Sequence, residues 1–505
     1  MKILYLDIDT LRPDHLGCYG YHRDTSPNID RIAGDGVVFR NCYASDVPCL
    51  PSRTALYGGQ FGIHSGVINH GGINADLPLE GPNRSFRNHY SENTWMSALR
   101  RAGYHTVSVS PFAERHSAWH FCAGFSEMFN TGKSGNERAD EVAPVALDWL
   151  SRHGQEDNWF LQVNFWDPHT VYRTPTEYGN PFENETPPSW LTDDIRSEHY
   201  DGYGPHSARE PWGYEPPESR QLDQHPRVPS EIGSMEEWKQ WIDGYDVGIR
   251  YADDHIGMIL EMLASQGVLD DTAIIVSSDH GENQGELNVY GDHQTADHHT
   301  CNIPLVIRWP GMASGVEQDG LCYNVDLAAT VTEMAGGEIP QEWDGYSFAP
   351  AVGGDDWPGR RFLVISQGAW ACQRSVRWGR ALLMETHHDG FKMLEPLMLF
   401  DLKDDPHELN NLAETSGDLV RQGLSLLHGW ESEMMRSSAH AEDPMWHVLR
   451  EGGPHHTLPG HLTSYCEYLR RTDREHHAET LEKIHSGEHQ RENPYVGTSP
   501  ACRAG

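Results

Sequence analysis

Two apolar runs that end in acid constrain this chain more than any other feature. Residues 2–9 read Lys-Ile-Leu-Tyr-Leu-Asp-Ile-Asp, and residues 272–279 read Thr-Ala-Ile-Ile-Val-Ser-Ser-Asp. Short runs this apolar predict buried strands. Residues 159–165, Trp-Phe-Leu-Gln-Val-Asn-Phe, predict a third. Between and beside them, residues 94–102, 140–152 and 241–263 predict amphipathic helices, with apolar side chains at a spacing of three and four. Strands alternating with helices predict an α/β fold: a large mixed, mostly parallel sheet sandwiched by helices. In such a sheet, acids at the carboxyl ends of strands sit where ligands bind.

The chain of 505 residues is long enough for one large domain and a smaller one. After about residue 360 the pattern turns to short strands, at 362–366, 375–378, 381–384 and 399–402. These predict a small antiparallel sheet with a packed helix. The expected organisation is a catalytic α/β domain over 1–360, a C-terminal subdomain over 361–437, and a His-, Glu- and Arg-rich extension over 438–505. The extension is read as a wrap around the domain or a route to a homo-oligomer. Residues 173–233 are rich in Pro, Tyr, Trp and His and predict a long loop suited to stacking on sugars.

A net charge of −37 argues against a nucleic-acid partner. Of the 38 basic residues only Lys2, Lys133, Lys239, Lys392, Lys403 and Lys483 are lysines. The rest are arginines, which favour planar, bidentate contacts to anions. The first apolar run is too short for a signal segment and is broken by Asp7. No apolar run reaches membrane-spanning length. Nine widely spaced cysteines read as reduced thiols. The expectation is a cytoplasmic protein without a membrane partner.

Cys49-Leu50-Pro51-Ser52-Arg53 carries the chemistry. It runs into Thr54–Gly59, a short helix closed by glycines. This run resembles the C-x-P-S-R signature of the formylglycine-dependent sulfatases, within the alkaline-phosphatase-like superfamily. Four further motifs follow the family order, so that the resemblance spans about residues 1–415.

The resemblance implies that a formylglycine-generating enzyme converts Cys49 to 3-oxoalanine. A hydrated aldehyde oxygen beside a cation attacks sulfur or phosphorus, where a thiol prefers carbonyl carbon. It also implies that Asp9, Asp279 and His280 bind a divalent metal. The oxygen-rich set favours Ca²⁺, and His280 leaves Mn²⁺ or Mg²⁺ open. Asp7 shares the strand face of Asp9, and Thr10 stands where the family often has a second acid. Both are weaker candidates for the metal.

Arg53 orients the nucleophile in this reading. His169, in the turn Trp166-Asp167-Pro168-His169, or His293 protonates the leaving alcohol. His293 stands where sulfatases usually have a lysine and related phosphonate and phosphodiester hydrolases a histidine. The family's Gly-Lys-x-His after the 104–110 strand is missing. Arg115 and His116 are candidate replacements with a shifted register, and His70 is a candidate substrate contact. The base that expels sulfate is unassigned.

The implied activity is hydrolysis of a sulfate ester, of a small sulfated carbohydrate or an oligosaccharide. The alternatives are a phosphonate monoester or phosphodiester hydrolase with the same nucleophile, or an inactive sulfatase-like binding protein.

Overall fold

A computed structural model describes residues 1–78, 88–457 and 459–486. In it the two acid-ended runs lie side by side. Lys2–Ile8 pairs in parallel with Thr272–Ser277, Asp7 level with Ser277, and on its other side in parallel with Trp159–Phe165. Asp9 and Asp279 therefore leave the same edge of the sheet from adjacent strands, spaced by about 4.8 Å. The main path of the sheet runs Val316–Gln318, Val37–Tyr43, Asn302–Arg308, Thr272–Ser277, Lys2–Ile8, Trp159–Phe165, His105–Val109, Glu127–Phe129. Asn302–Arg308 alone is antiparallel to both its neighbours, so the sheet is mixed but mostly parallel, as the alternation predicts.

Period-two alternation divides the core into two layers. Leu4, Leu6 and Ile8 point to one face, under the helices Ala139–His153 and Met235–Ser265. Ile3 and Tyr5 point to the other, under Cys49–Gly58, Trp95–Arg101 and Asn324–Met334. Asp7 and Asp9 continue the second set, so both acids face the layer that holds Cys49.

A second sheet runs Leu397–Asp401, Ala381–His388, Cys372–Trp378, Leu363–Gln367, with each of these four antiparallel to its neighbour. Helix Gly417–Ser437 packs Leu427 and Trp430 against it. Its last strand is Asp46–Val47, paired in parallel with Ser366–Gln367. The chain just before Cys49 is thus stitched into the smaller sheet.

The described part of the extension forms helices Pro444–Arg450, Pro459–Arg471 and Glu475–Ile484. Leu462, Tyr465, Leu469 and Leu481 share a core with Tyr203 and Phe391. Buried Arg474 pairs with buried Glu210 at 2.5 Å, and Tyr465 accepts the Gly204 N–H at 2.6 Å. The extension wraps the domain and clamps the long loop; residues 487–505 lie outside the described residues. Several aromatics of that loop are drawn into packing. Phe182 and Tyr203 are buried, and Trp190 stacks on His407 at 4.3 Å. Its aromatics serve packing first.

Among the described residues no helix is long and apolar enough to cross a membrane, and the eight described cysteines are free thiols.

Gly281, which follows His280, admits no side chain. A Cβ there would meet the His299 carbonyl oxygen at 2.0 Å. Gly281→Ala is expected to lose roughly 1–3 kcal/mol of stability by denaturant unfolding. An unchanged midpoint would show that the strand-end loop is free to shift.

Candidate active site

The spacing of the cysteine motif has a geometric meaning. Cys49 opens a ten-residue helix whose residues are all buried. Arg53, one turn later, lies on the same face. Ser52 donates its hydroxyl to the Asp279 carbonyl at 2.6 Å and ties the helix to the strand end. Arg53 then reaches three acids: Asp7 through Nη1, and Asp9 at 3.0 Å and Asp279 at 3.3 Å through Nη2. The Phe112 ring lies 4.6 Å from the guanidinium carbon.

Three carboxylates and one guanidinium leave a negative surplus in a buried place. Asp9 Oδ1 and Asp279 Oδ2 are buried without a hydrogen-bond partner. Asp9, Asp279, Cys49 and His280 each bring a ligand atom within 4.8 Å of the others. His280 Nδ1 lies 2.7 Å from the Gly281 carbonyl, which only accepts, so Nδ1 carries the proton. Nε2 faces Cys49 Sγ at 3.1 Å and Asp279 at 3.4 Å. An imidazole held through its far nitrogen beside two carboxylates is a donor set for a divalent cation. These residues fit the metal that the sequence implies.

Asp7 falls outside that group. Arg53 and the Gln162 amide, at 2.9 Å, hold it behind the guanidinium, and burial pushes its carboxyl up while Arg53 opposes. Its place in the structure is to anchor Arg53. Thr10 makes the turn after Asp9 with φ of 56°, unusual for a β-branched residue. Its N–H donates to Asp279 at 3.3 Å, and its carbonyl accepts from Tyr245 at 2.7 Å.

Histidines surround Cys49. The His293 ring lies 4.1 Å from that of His280 and 5.5 Å from that of His169. His70 and His116 form a further group with Cys49, again within 4.8 Å. Burial pushes His70, His116 and His293 well down, and burial with Arg115 and Arg173 pushes His169 to about 3. They are neutral rings in the free site. His169 Nδ1 is taken by the Thr170 carbonyl, which leaves Nε2 for the pocket. Burial, Asp9 and Asp279 hold the Cys49 thiol well above its ordinary value. An unmodified Cys49 is a poor nucleophile here.

The short helix Phe112–Arg115 delivers Arg115 and His116 beside Cys49, so the shifted register has a structural counterpart. Other histidines lie outside this group: His64 pairs with Asp344 at 2.7 Å, and His299 lies against Arg12 and Pro406.

Three residues escaped the sequence reading. Glu282 is buried near Asp9 and bonded to Thr170; burial pushes it up to about 8, so it is protonated near neutrality. Arg173, four residues past His169, sits beside it. His456 comes from the extension. Its Nε2 lies 3.0 Å from His70 Nδ1, its ring stacks on Trp370 at 4.3 Å, and its N–H donates to Ala369 at 3.0 Å. The position of Arg173 after the Pro-His turn was a usable signal; His456 had none.

A mostly parallel sheet that converges strand-end acids on a cysteine-led helix defines an alkaline-phosphatase-like hydrolase. Within that class the assignment is specific. The sulfatase family model matches residues 2–337, and the chain belongs to the sulfatase family, hydrolases of sulfate esters. A second model, the C-terminal region of N-sulphoglucosamine sulphohydrolase, matches residues 285–424.

The chain is 23% identical to an N-acetylglucosamine-6-O-sulfatase of Bacteroides thetaiotaomicron, over 81% of this chain and 82% of that one. It is 26% identical to a choline-sulfatase of Rhizobium meliloti, over 79% of each. A solved structure in complex with its substrate D-glucosamine-2-N,6-O-disulfate superposes with a TM-score of 0.69 at 20% identity, covering 88% of this chain and 99% of that one. A phosphonate monoester hydrolase from Silicibacter pomeroyi superposes at 0.65 with 23% identity, covering 88% and 97%. At these identities the structural likenesses speak for the fold.

Arg53→Gln removes the one cation among Asp7, Asp9 and Asp279. In chelator it is expected to lose roughly 3–5 kcal/mol by denaturant unfolding, because three buried carboxylates are left uncompensated. Divalent cation should restore part of that. Equal stability of variant and parent would show that the acids do not depend on Arg53.

Proposed function

We propose that this protein hydrolyses the sulfate ester of a small sulfated carbohydrate, using formylglycine made from Cys49. The single observation that carries the proposal is the convergence of Cys49, Arg53, Asp9, Asp279 and His280 at one strand-end point. The names of the glucosamine sulfatases among its relatives support a sugar. The depth of the site, with Cys49 only 2% exposed, suits a small ester over a long chain. The free thiols suit a reducing compartment, the cytoplasm.

Asp9, Asp279 and His280 would hold the metal, with Ca²⁺ favoured by the carboxylates. When bound, the metal supplies charge stabilisation for the sulfuryl oxygens and the converted Cys49 supplies the attacking oxygen. Arg53 fixes the acids and the start of the nucleophile's helix. Arg115 presents positive charge to the sulfate. His169, with Nε2 turned to the pocket, handles the proton of the leaving oxygen, with His293 at its side. His70 or His116, each within 4.8 Å of Cys49, fill the place of the family's missing base. His456 holds His70 through its far nitrogen.

A modification enzyme is required, and the tryptic peptide Asn41–Arg53 from the native host should carry an aldehyde at Cys49 by mass spectrometry. Unconverted cysteine from a competent host would favour the inactive, sulfate-binding reading. Converted protein should turn over 4-nitrophenyl sulfate faster than an aryl phosphonate diester. The reverse order would favour the phosphonate hydrolase, which the His280–His293 pair also suits. Chelation should abolish turnover, and Ca²⁺ should restore it; restoration by Mn²⁺ or Mg²⁺ alone would change the metal.

A further inference from the structure

Arg115 and Arg173 are 58 positions apart in sequence, yet one tight loop holds both. Arg115 Nη1 donates to the Ser134 carbonyl at 3.2 Å, and Arg173 Nη2 donates to Asn136 Oδ1 at 2.9 Å. Between them Ser134 and Gly135 take φ of 53° and 88°, which folds the loop back on itself. Arg115 also lies over the Trp166 ring, 4.8 Å from its centre, and Trp166 neighbours His169 at 5.7 Å.

Buried guanidiniums are normally paired with carboxylates. Arg12, Arg53, Arg374 and Arg474 of this chain all are. Arg115 and Arg173, each only partly buried, are not: among the described residues neither has a carboxylate at ion-pair distance. The carboxylates nearest Arg173 are turned elsewhere. Glu137 accepts the N–H groups of Lys133 at 2.6 Å and Gly135 at 2.8 Å, and Asp167 accepts that of Ala139 at 2.8 Å. Arg115 Nε is buried without a partner. The two cations work against each other: burial and Arg115 push Arg173 down to about 10.

The positions divide the labour. Arg115 directly precedes His116, which lies within 4.8 Å of Cys49, and so belongs to the scissile sulfate. Arg173 lies beyond it, beside His169, which handles the leaving oxygen. A monosulfate brings one negative charge to two unpaired cations.

We propose that Arg173, with Arg115, forms a second anion subsite on the leaving-group side, so that the preferred substrate is a sulfate ester whose alcohol carries another sulfate or a carboxylate next to the scissile oxygen. This rests on the sulfatase reading above and narrows it. It disfavours an ester whose alcohol is cationic, because that group would meet Arg173.

The test uses the full-length, formylglycine-containing protein with its metal. Substrates come in pairs: glucosamine 6-sulfate against its 2-N-sulfated form, and phenyl sulfate against 2-carboxyphenyl sulfate. Wild-type kcat/KM should favour the doubly anionic member of at least one pair by about tenfold or more, the scale of one charge-assisted contact. The sulfate pair and the carboxylate pair then separate the two sources of the second charge.

Arg173→Gln should collapse that ratio towards one, chiefly through KM for the doubly anionic member, and Arg173→Lys should recover part of it. An equal loss on both members of each pair, with no change in ratio, would make Arg173 a support for His169 and overturn the subsite. So would a wild-type enzyme with no preference. If the modified protein turned over no sulfate ester, including 4-nitrophenyl sulfate, the sulfatase reading itself would fall. Melting temperatures close to wild type for both variants exclude misfolding as the cause of a lost ratio.

Discussion

Arg53 is the point at which this structure is tied together. Its guanidinium joins the ends of two adjacent parallel strands to the helix that Cys49 opens. At 3.0 Å and an effective dielectric constant of about 20, one such contact is worth on the order of 5 kcal/mol before desolvation. Desolvation of the ions consumes several kcal/mol each. The cluster is therefore near balance as a source of stability, and its value lies in position. Taking the charges out of water leaves only one arrangement in which three acids share one cation, and that arrangement fixes Cys49 against His280. The negative surplus that Arg53 leaves is what makes the same place receptive to a dication. Glu282 meets a similar burial problem by holding a proton instead.

The rest of the molecule serves that point from outside. Val47 and Asp46 enter the smaller sheet, so the segment before the nucleophile is held by strand pairing. Gln367 of the same sheet donates to the His293 carbonyl at 2.9 Å. The extension brings His456 to His70 and clamps the long loop through Arg474 and Glu210. A chain cut to its two matched regions would lose that wall of the site while keeping the acids and the helix.

What was legible in the sequence follows from what is local. The acid-ended strands were readable because burial dictates their composition, and the large and small sheets followed from runs of four to eight residues. Cys49 and Arg53 were readable because they stand in a run that resembles the sulfatase signature. Strand periodicity gives Asp7 the face of Asp9 but not its depth, and Arg53 stands between it and the Cys49 group. The aromatics of 173–233 looked like a sugar platform because composition cannot tell an exposed ring from one pinned by helices 230 residues later. The meeting of His456 with His70, and of Arg115 and Arg173 with one loop at 134–136, is made only when the chain has folded.

The charge of the chain sharpens the role of those last residues. An acidic surface repels an anionic substrate at long range, although salt screens this beyond about 8 Å. Attraction must then come from the pocket itself. Burial keeps the rings of His70, His116, His169 and His293 neutral, so they bring no charge of their own. Arg115 and Arg173 are left to carry the local positive potential, which is also part of what keeps His169 neutral. In the proposed reaction an arriving sulfate would cancel that potential beside His169 and favour its protonation. Binding of the anion and readiness to protonate the leaving oxygen would thereby be coupled through the same two guanidiniums.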